Sequence, residues 1–449
     1  MGREAILAAT KAAGVVGAGG AGFPTHIKLA ASADTIIVNG AECEPLLEVD
    51  RQLLSRYLAR VLEGLEAAQL AVGARQAYLA VKGKYTSLVN QLKMAAASRP
   101  WLEIASLPDI YPIGDEQCLA YEVLGRIVPP RGLPLDVGAV VLNVETLYNI
   151  ARAMDGEPVV DTFVTVHGAV AEPATWIVPV GCAIQEVISW ARPLYDPPDM
   201  AVIEGGPMMG KLVENLASPV TKTTKGLVVL PRDHVVPTRL RAGSAVLRRA
   251  FNVCSQCSIC TDLCPRHQLG HPIWPHRIMR SMAGGGIQEP QEITGALLCS
   301  ECGVCDQYAC FMGLSPRRVN QVLKQRLALE GGTQVTPAFP WRQEVRQGLH
   351  ESQIPAERLI YRLDLAKWAK AAPLKGSLPE PSRVVIPLQQ HVGKSARSRL
   401  AVGDMVSRGS LIADVSQGEL GAFVHSSITG VVSAIGDGAV VIERGGQGE

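Results

Sequence analysis

Two runs decide how this chain is read: CSQCSICTDLCP at 254–265 and CSECGVCDQYAC at 299–310. Between them they hold all but three of the eleven cysteines. The first spaces Cys254, Cys257, Cys260 and Cys264 as C-x2-C-x2-C-x3-C followed by Pro265, the run with which bacterial ferredoxins hold a 4Fe–4S cube. The second spaces Cys299, Cys302, Cys305 and Cys310 in the same way, except for one extra residue before Cys310 and Phe311 where a proline is usual. Three thiolates two residues apart wrap one corner of a cube, and the more remote fourth thiolate serves the other cluster in two-cluster ferredoxins. The spacing therefore pairs Cys254, Cys257 and Cys260 with Cys310 on one cube, and Cys299, Cys302 and Cys305 with Cys264 on the second. Zinc favours paired C-x2-C knuckles over triplets, and disulfides need an oxidising compartment.

Working outward, 449 residues allow three or four domains with cores of their own. Lys plus Arg number 43 against 42 for Asp plus Glu, so no basic excess points to nucleic acid or anionic lipid. No apolar run reaches the length of a membrane span, and the N-terminal stretch MGREAILAATKAAG lacks the long apolar region of a secretory signal. Free thiols and oxygen-sensitive clusters fit a cytoplasmic protein.

Upstream lies a glycine run, GAGGAGFPTHIK at 17–28. Its Gly17, Gly19 and Gly22 match a dinucleotide fingerprint in letters only. What precedes Gly17 is helix-like instead of a buried strand, and Phe23-Pro24 interrupts the chain where a helix should open. Successive glycines let backbone N–H groups curl around an anion, with Lys28 adding a charge; the plainer reading is a loop that permits tight packing.

From Thr35 to Asn143, short apolar runs alternate with helical periodicity, which predicts an α/β layer on a largely parallel sheet. Polar residues gather at the strand ends: Asn39, Glu42 and Glu44; Gly114, Asp115 and Glu116; Asn143 and Thr146. Each alone reads as a cap or turn residue, Asp115 as a helix N-cap above all; together they read as one ligand site at a sheet edge. After Asp161 short strands around one helix suggest a β-grasp module. Met208 and Met209 in GGPMMG (205–210) read as packing residues more readily than as ligands. His267, His271 and His276 stand close enough in sequence to bind a metal or touch a cofactor; the plainer reading is loop residues or donors near the clusters. Ser315 to Glu330 reads as a basic helix, and Pro373 to Pro381 as a linker. The segments VGDMVSRGSLIADV (402–415) and ITGVVSAIGDGAVVIE (428–443) echo one another as halves of a barrel-sandwich module. The turn at Ser426-Ser427-Ile428-Thr429 lacks a carrier lysine, so this module reads as docking or structural.

GAGGAGFPTHIK, VNGAECEP (38–45), YPIGDE (111–116) and LNVETLYN (142–149), in this order, resemble the flavin- and NADH-binding subunit of respiratory complex I and the C subunit of the Rnf complex. The resemblance implies FMN on Gly17, Gly19, Lys28, Asn39, Glu42, Tyr111, Gly114, Asp115, Glu116, Asn143 and Thr146, with Glu44 near NADH. The chain departs from complex I at Ala41, where an aspartate is common, and at Leu29-Ala30-Ala31, where aromatic residues are. Rnf C subunits carry the barrel module before the flavin domain; here it comes last. That order, with TDLCPRH (261–267) and the second cysteine run, resembles the cobalamin reductases of propanediol-utilisation microcompartments. It implies NADH as donor, cob(III)alamin or cob(II)alamin as substrate, and location in or beside a bacterial microcompartment. It also implies a cobalamin adenosyltransferase and a shell protein as partners, with oligomers possible. An Rnf-like electron carrier or a shell-docked conduit to another acceptor is the alternative. The expected architecture is a multidomain α/β plus α+β chain: a complex-I-like FMN/NADH domain (1–158), a β-grasp domain of the soluble ligand-binding type (159–240), a ferredoxin-like α domain with two 4Fe–4S clusters (241–335), a helical segment and linker (336–382), and a barrel-sandwich hybrid β domain (383–449).

Overall fold

The computed structural model describes residues 1–241, 249–250, 252–282, 290–331, 339–341 and 343–444. The expected limit between 335 and 336, and residues 445–449 of the last domain, lie outside these. The first layer runs α1 (Arg3–Ala12), α2 (Thr25–Ala30), β1 (Thr35–Gly40), α3 (Val49–Arg56), α4 (Leu58–Val72), β2 (Gln76–Lys82) and α5 (Thr86–Ala96). It continues through β3 (Leu102–Leu107), β4 (Ile110–Tyr111), α6 (Glu116–Leu124), β5 (Ala139–Asn143) and α7 (Val144–Met154). The main strands lie in the order β3-β2-β1-β5, every pair parallel. A parallel sheet must be covered on both faces, which is why Ile36, Ile37 and Val38 are all fully buried. Leu53, Leu65, Leu147 and Ile150 cover one face, and Ile113, Leu119 and Val128 the other. The periodic stretch 51–72 divides at Tyr57 into two helices.

A second sheet uses β6 (Asp161–Gly168), β7 (Ala174–Pro179), β8 (Met200–Glu204), β9 (Lys211–Leu212) and β10 (Gly226–Pro231), with helix α8 (Ile184–Ser189) against it. Its centre is the parallel pair β6–β10, flanked by antiparallel neighbours. Helix α9 (Val235–Arg241) leads toward the cysteines. Next come short helices at Ile259–Asp262, Pro265–Gln268 and Pro275–Ser281 and a longer one at Pro316–Gly331, around Ile273, Ile278, Leu298, Val319 and Leu323.

The segment 336–382 differs from the expected linker. β11 (Ile354–Pro355) pairs with β4, and β12 (Leu374–Ser377) adds a sixth strand beside β7. Prolines at 373, 379 and 381 mimic a linker in sequence, but an edge strand tolerates flanking proline, and its pairing partner lies about two hundred residues away. The closing module has two small sheets. β13 (Arg383–Pro387), β15 (Met405–Val406), β18 (Gly430–Gly436) and β19 (Ala439–Glu443) form one; β14 (Arg397–Ser398), β16 (Leu411–Asp414) and β17 (Val424–His425) form the other.

This module is clamped to its neighbours. Ser427 is fully buried and donates to the Val180 carbonyl. Lys222 Nζ, also buried, donates to the Gly14 and Phe423 carbonyls at 2.7 and 2.8 Å, joining the segments before β1, before β10 and before β17. Burial pushes its amine down to about 7. A neutral amine has the two N–H donors that those two carbonyls accept.

Candidate functional site

The glycine run follows α1 and folds back on itself, Gly17 N–H donating to the Phe23 carbonyl at 2.9 Å. It is pressed onto the start of α7. Ala18 N–H donates to Thr146 Oγ1 at 3.0 Å, and a Cβ on Gly19 would come within 2.9 Å of Asn143. Glycine is needed there for that approach, whereas a Cβ on Gly20 would meet open space. Asn143 caps α7, its Oδ1 accepting from Glu145 N–H at 2.9 Å. The run is thus packed onto the start of α7, and Lys28 follows it on α2.

The other strand-end residues close the rim. Lys28 Nζ lies 3.1 Å from Glu116 Oε1. Asn39 Nδ2 donates to the Gly114 carbonyl at 2.9 Å, and its Oδ1 accepts from Ala41 N–H. Glu42, at a positive φ of 34°, accepts from the N–H groups of Asp50 and Arg51 and so caps α3. Desolvation and then the Asp50 carboxylate push it up to about 8. The Asn143 side chain donates to both Asp50 oxygens at 3.0 and 2.9 Å, and buried Glu145 pairs with Lys225, itself pushed down to about 7 by burial. This Asp50–Glu145–Lys225 cluster carries no signal in the sequence, since Lys225 comes from the second sheet.

Glu44 lies at a junction. It accepts from Met208 and Met209 N–H at 3.0 and 2.9 Å, and Tyr111 Oη lies 3.4 Å from it. Desolvation pushes it up to about 7. Gly206 is required beside it, because a Cβ there would overlap the carboxylate. Met208 and Met209 therefore act through their backbone, and Met208 is buried. Tyr111 is also buried and donates its hydroxyl to the Cys302 carbonyl at 2.6 Å. Asp115 caps α6 with one oxygen, through Gln117 and Cys118 N–H, and takes Arg266 at 2.7 Å on the other. Arg266 stands two residues after Cys264, and nothing in the sequence alone marks it as part of the site.

The eight cysteines divide between two cavities. The inner one is lined by Cys264, Cys299, Cys302 and Cys305 with Pro265, Arg317 and Asn320. The outer one is lined by Cys254, Cys257, Cys260 and Cys310 with Gln256, His276, Met279, Met312 and Leu314. Each takes three thiols from one run and the fourth from the other. Gln256 and Ser258 in the first run, and Glu301 and Gly303 in the second, all have positive φ, so the two loops curl alike. The extra residue of the second run is absorbed by one π-helical turn at Val304–Ala309, a device for taking up a single insertion. N–H groups point at thiols in both: Gln256 Nε2 to Cys254 at 3.1 Å, Glu301 N to Cys299 at 3.4 Å and Leu314 N to Cys310 at 3.3 Å. Among the described residues no three His, Cys, Asp or Glu side chains are placed to hold a single ion. A cube asks for four sulfurs at its corners, and each cavity is lined by four cysteines. Burial pushes Cys264 up to about 12 and Cys302 and Cys305 upward, so as thiolates they need a compensating positive charge, which a bound metal centre would supply.

The three histidines do not converge. His267 Nδ1 pairs with the Ile273 carbonyl, His271 Nε2 with that of Val128, and His276 Nδ1 with Thr261 Oγ1. Cys43 lies against Gly114 among the strand-end residues, and it lines neither cavity.

Residues 10–152 match the family described as the Nuo51 FMN-binding domain, residues 253–315 the 4Fe-4S dicluster domain, and residues 366–447 the RnfC barrel sandwich hybrid domain. Over 98% of this chain and 97% of the other, the sequence is 44% identical to the cobalamin reductase PduS of Salmonella typhimurium. It is 36% identical to the C subunit of the Na+-translocating ferredoxin:NAD+ oxidoreductase complex of Acetobacterium woodii, over 60% of this chain and 59% of that one. An NAD+-reducing [NiFe]-hydrogenase in the H2-reduced state superposes with a TM-score of 0.50 at 28% identity, covering 75% of this chain and 64% of that one.

Proposed function

Since the chain belongs to the family of the cobalamin reductase PduS, we propose that it is an NADH-dependent oxidoreductase that reduces cob(III)alamin and cob(II)alamin through FMN and two 4Fe–4S clusters. The observation that carries this reading is the join between flavin rim and inner cavity. Tyr111 reaches the Cys302 carbonyl, and Asp115 reaches Arg266 beside Cys264, so two of the proposed flavin residues touch the inner cysteine loops. FMN would accept a hydride from the nicotinamide, and the clusters would carry its electrons onward singly.

The chain's own residues then divide the work. Gly17, Gly19 and Lys28, with the start of α7 at Asn143 and Thr146, hold the phosphate. Asn39, Glu42, Tyr111, Gly114, Asp115 and Glu116 enclose the remainder of the flavin. Glu44, with a proton affinity near neutrality, stands where NADH would approach. Cys264, Cys299, Cys302 and Cys305 hold the inner cluster, and Cys254, Cys257, Cys260 and Cys310 the outer. Cys257 is exposed, which makes the outer cluster the exit. The second sheet, with its central parallel pair and single helix, is a β-grasp module, and the last domain a barrel-sandwich clamp. Limits of 1–158, 159–240, 241–335, 336–382 and 383–449 describe these parts, with β12 returning to the β-grasp sheet. Among the described residues no helix is long and apolar enough to cross a membrane. The reduced corrinoid passes to a cobalamin adenosyltransferase, in or beside a microcompartment shell.

The likeness to the C subunit of a ferredoxin:NAD+ oxidoreductase supports a second reading, an electron carrier for another acceptor. An anaerobic assay with NADH separates the two. Aquocobalamin should be reduced to cob(II)alamin by holoprotein containing about eight irons and one flavin. Reduction of ferricyanide or ferredoxin alone sinks the corrinoid assignment.

A further inference from the structure

Asn320 is 1% exposed, yet neither Nδ2 nor Oδ1 has a partner within the protein. It stands on the helix Pro316–Gly331, one turn beyond Arg317, and both side chains line the inner cavity. Arg317 is engaged, with Nε on Asp306 at 3.0 Å and Nη1 on the Met208 carbonyl. Asn320 is left facing the four inner cysteines. A buried primary amide without partners is costly, and such groups in folded proteins mark a site whose partner is something other than protein. The amide N–H is a donor, and the sulfurs of a cluster are acceptors whose strength grows as the cluster gains an electron. The outer cavity has no counterpart. Its one amide, Gln256, is exposed and already donates to Cys254, and His276 on its wall is bonded through Nδ1 to Thr261 Oγ1.

We propose that Asn320 is a positioning residue that sets the potential of the inner cluster by donating its amide N–H to a cluster sulfur, making that cluster a favourable first stop for electrons leaving the flavin. This rests on the reading that the inner cavity holds a 4Fe–4S cluster. In the step concerned, one electron supplied by the reduced flavin enters the oxidised cube. The cube gains one negative charge, no bond to the protein is made or broken, and the amide hydrogen bond strengthens against the added charge.

The test is an EPR-monitored redox titration of the fully loaded protein and of Asn320→Leu, which keeps the shape and removes the donor. Cys302→Ser identifies which of the two signals is the inner one. Asn320→Leu should move the inner midpoint to lower potential, leave the outer unmoved and retain about eight irons. Fe–S stretching bands of the unaltered protein should shift in D2O, and part of that shift should vanish in the variant. If Asn320→Leu fails to hold iron, Asn320→Ala, which removes the donor without adding apolar bulk, gives the decision on the same titration. An inner midpoint that stays put or rises in the loaded variant overturns the proposal. An unaltered protein with only one cluster signal and about four irons instead overturns the two-cluster reading on which it rests.

Discussion

The two cysteine cavities are built on one pattern and set in opposite surroundings. The inner one is shut in: Cys302 and Cys305 are buried, Tyr111 and Arg266 tie its loops to the flavin layer, and Arg317 and Asn320 present polar groups to it. The outer one opens at Cys257 and is flanked by exposed Val253, Ile259 and Phe311. Similar cysteine loops thus have different surroundings and different access, and hydrogen bonds, charge and solvent around the sulfurs are what tune a cluster while its ligands stay the same. The pair is suited to transfer in series, with the enclosed site receiving and the open site delivering.

The strongest challenge to that order is to remove one cluster at a time. Cys305→Ser should leave the flavin reducible by NADH and abolish electron delivery to the outer cluster; Cys257→Ser should leave the inner cluster reducible and abolish delivery to the acceptor. Rapid-freeze EPR distinguishes these, and an outer cluster that fills normally in Cys305→Ser breaks the series.

Next in size is the join itself. Arg266 and Asp115 are each nearly nine-tenths buried, so Asp115→Ala leaves a buried cation without its partner at a cost of about 3–5 kcal/mol. A clear drop in the thermal midpoint is expected. An unchanged midpoint would mean that the ion pair does not hold the flavin layer to the inner loops.

A smaller effect concerns pH on the inner side. Glu44 has a folded value of about 7 against 4.5 for the free group, so between these the folded chain holds a proton that the unfolded chain lacks. Its contribution to stability is therefore fully present near pH 4.5 and falls as pH rises toward 7 and beyond. Glu44→Gln, a mimic of the protonated acid, should flatten that decline; equal slopes from pH 5 to 8 in both proteins would remove Glu44 as its source.

The mildest change belongs to the outer site. Gln256→Leu removes one exposed N–H···S contact, worth about 0.5–1.5 kcal/mol. The outer midpoint should fall slightly while the inner one holds. A larger response than that of Asn320→Leu would reverse the contrast between the two sites.

Much of this is legible in sequence because it is local. The C-x2-C-x2-C triplets place three cysteines each within seven residues, and alternating apolar runs announce the parallel layer by their period. The strand-end residues are legible as a set because open α/β sheets gather ligand groups at that edge. Their individual bonds are not. Glu42 caps α3, Glu44 is held by Met208 and Met209, and Asp115 is shared between a helix cap and Arg266. Strand β12 reads as linker in sequence because four residues between prolines carry too little periodicity to declare a pairing.

By itself the sequence determined the two cysteine triplets, the helices and strands of the flavin layer and a lysine-free final module, since each follows from spacing along a few turns of chain. Only the tertiary structure decided how a π-helical turn absorbs the extra residue before Cys310 and which cavity adjoins the strand-end residues of the first sheet. It also decided that Asn320 is left without a partner. These depend on groups brought together across tens to hundreds of residues, where burial and the need to satisfy buried charge and hydrogen bonds select the partners.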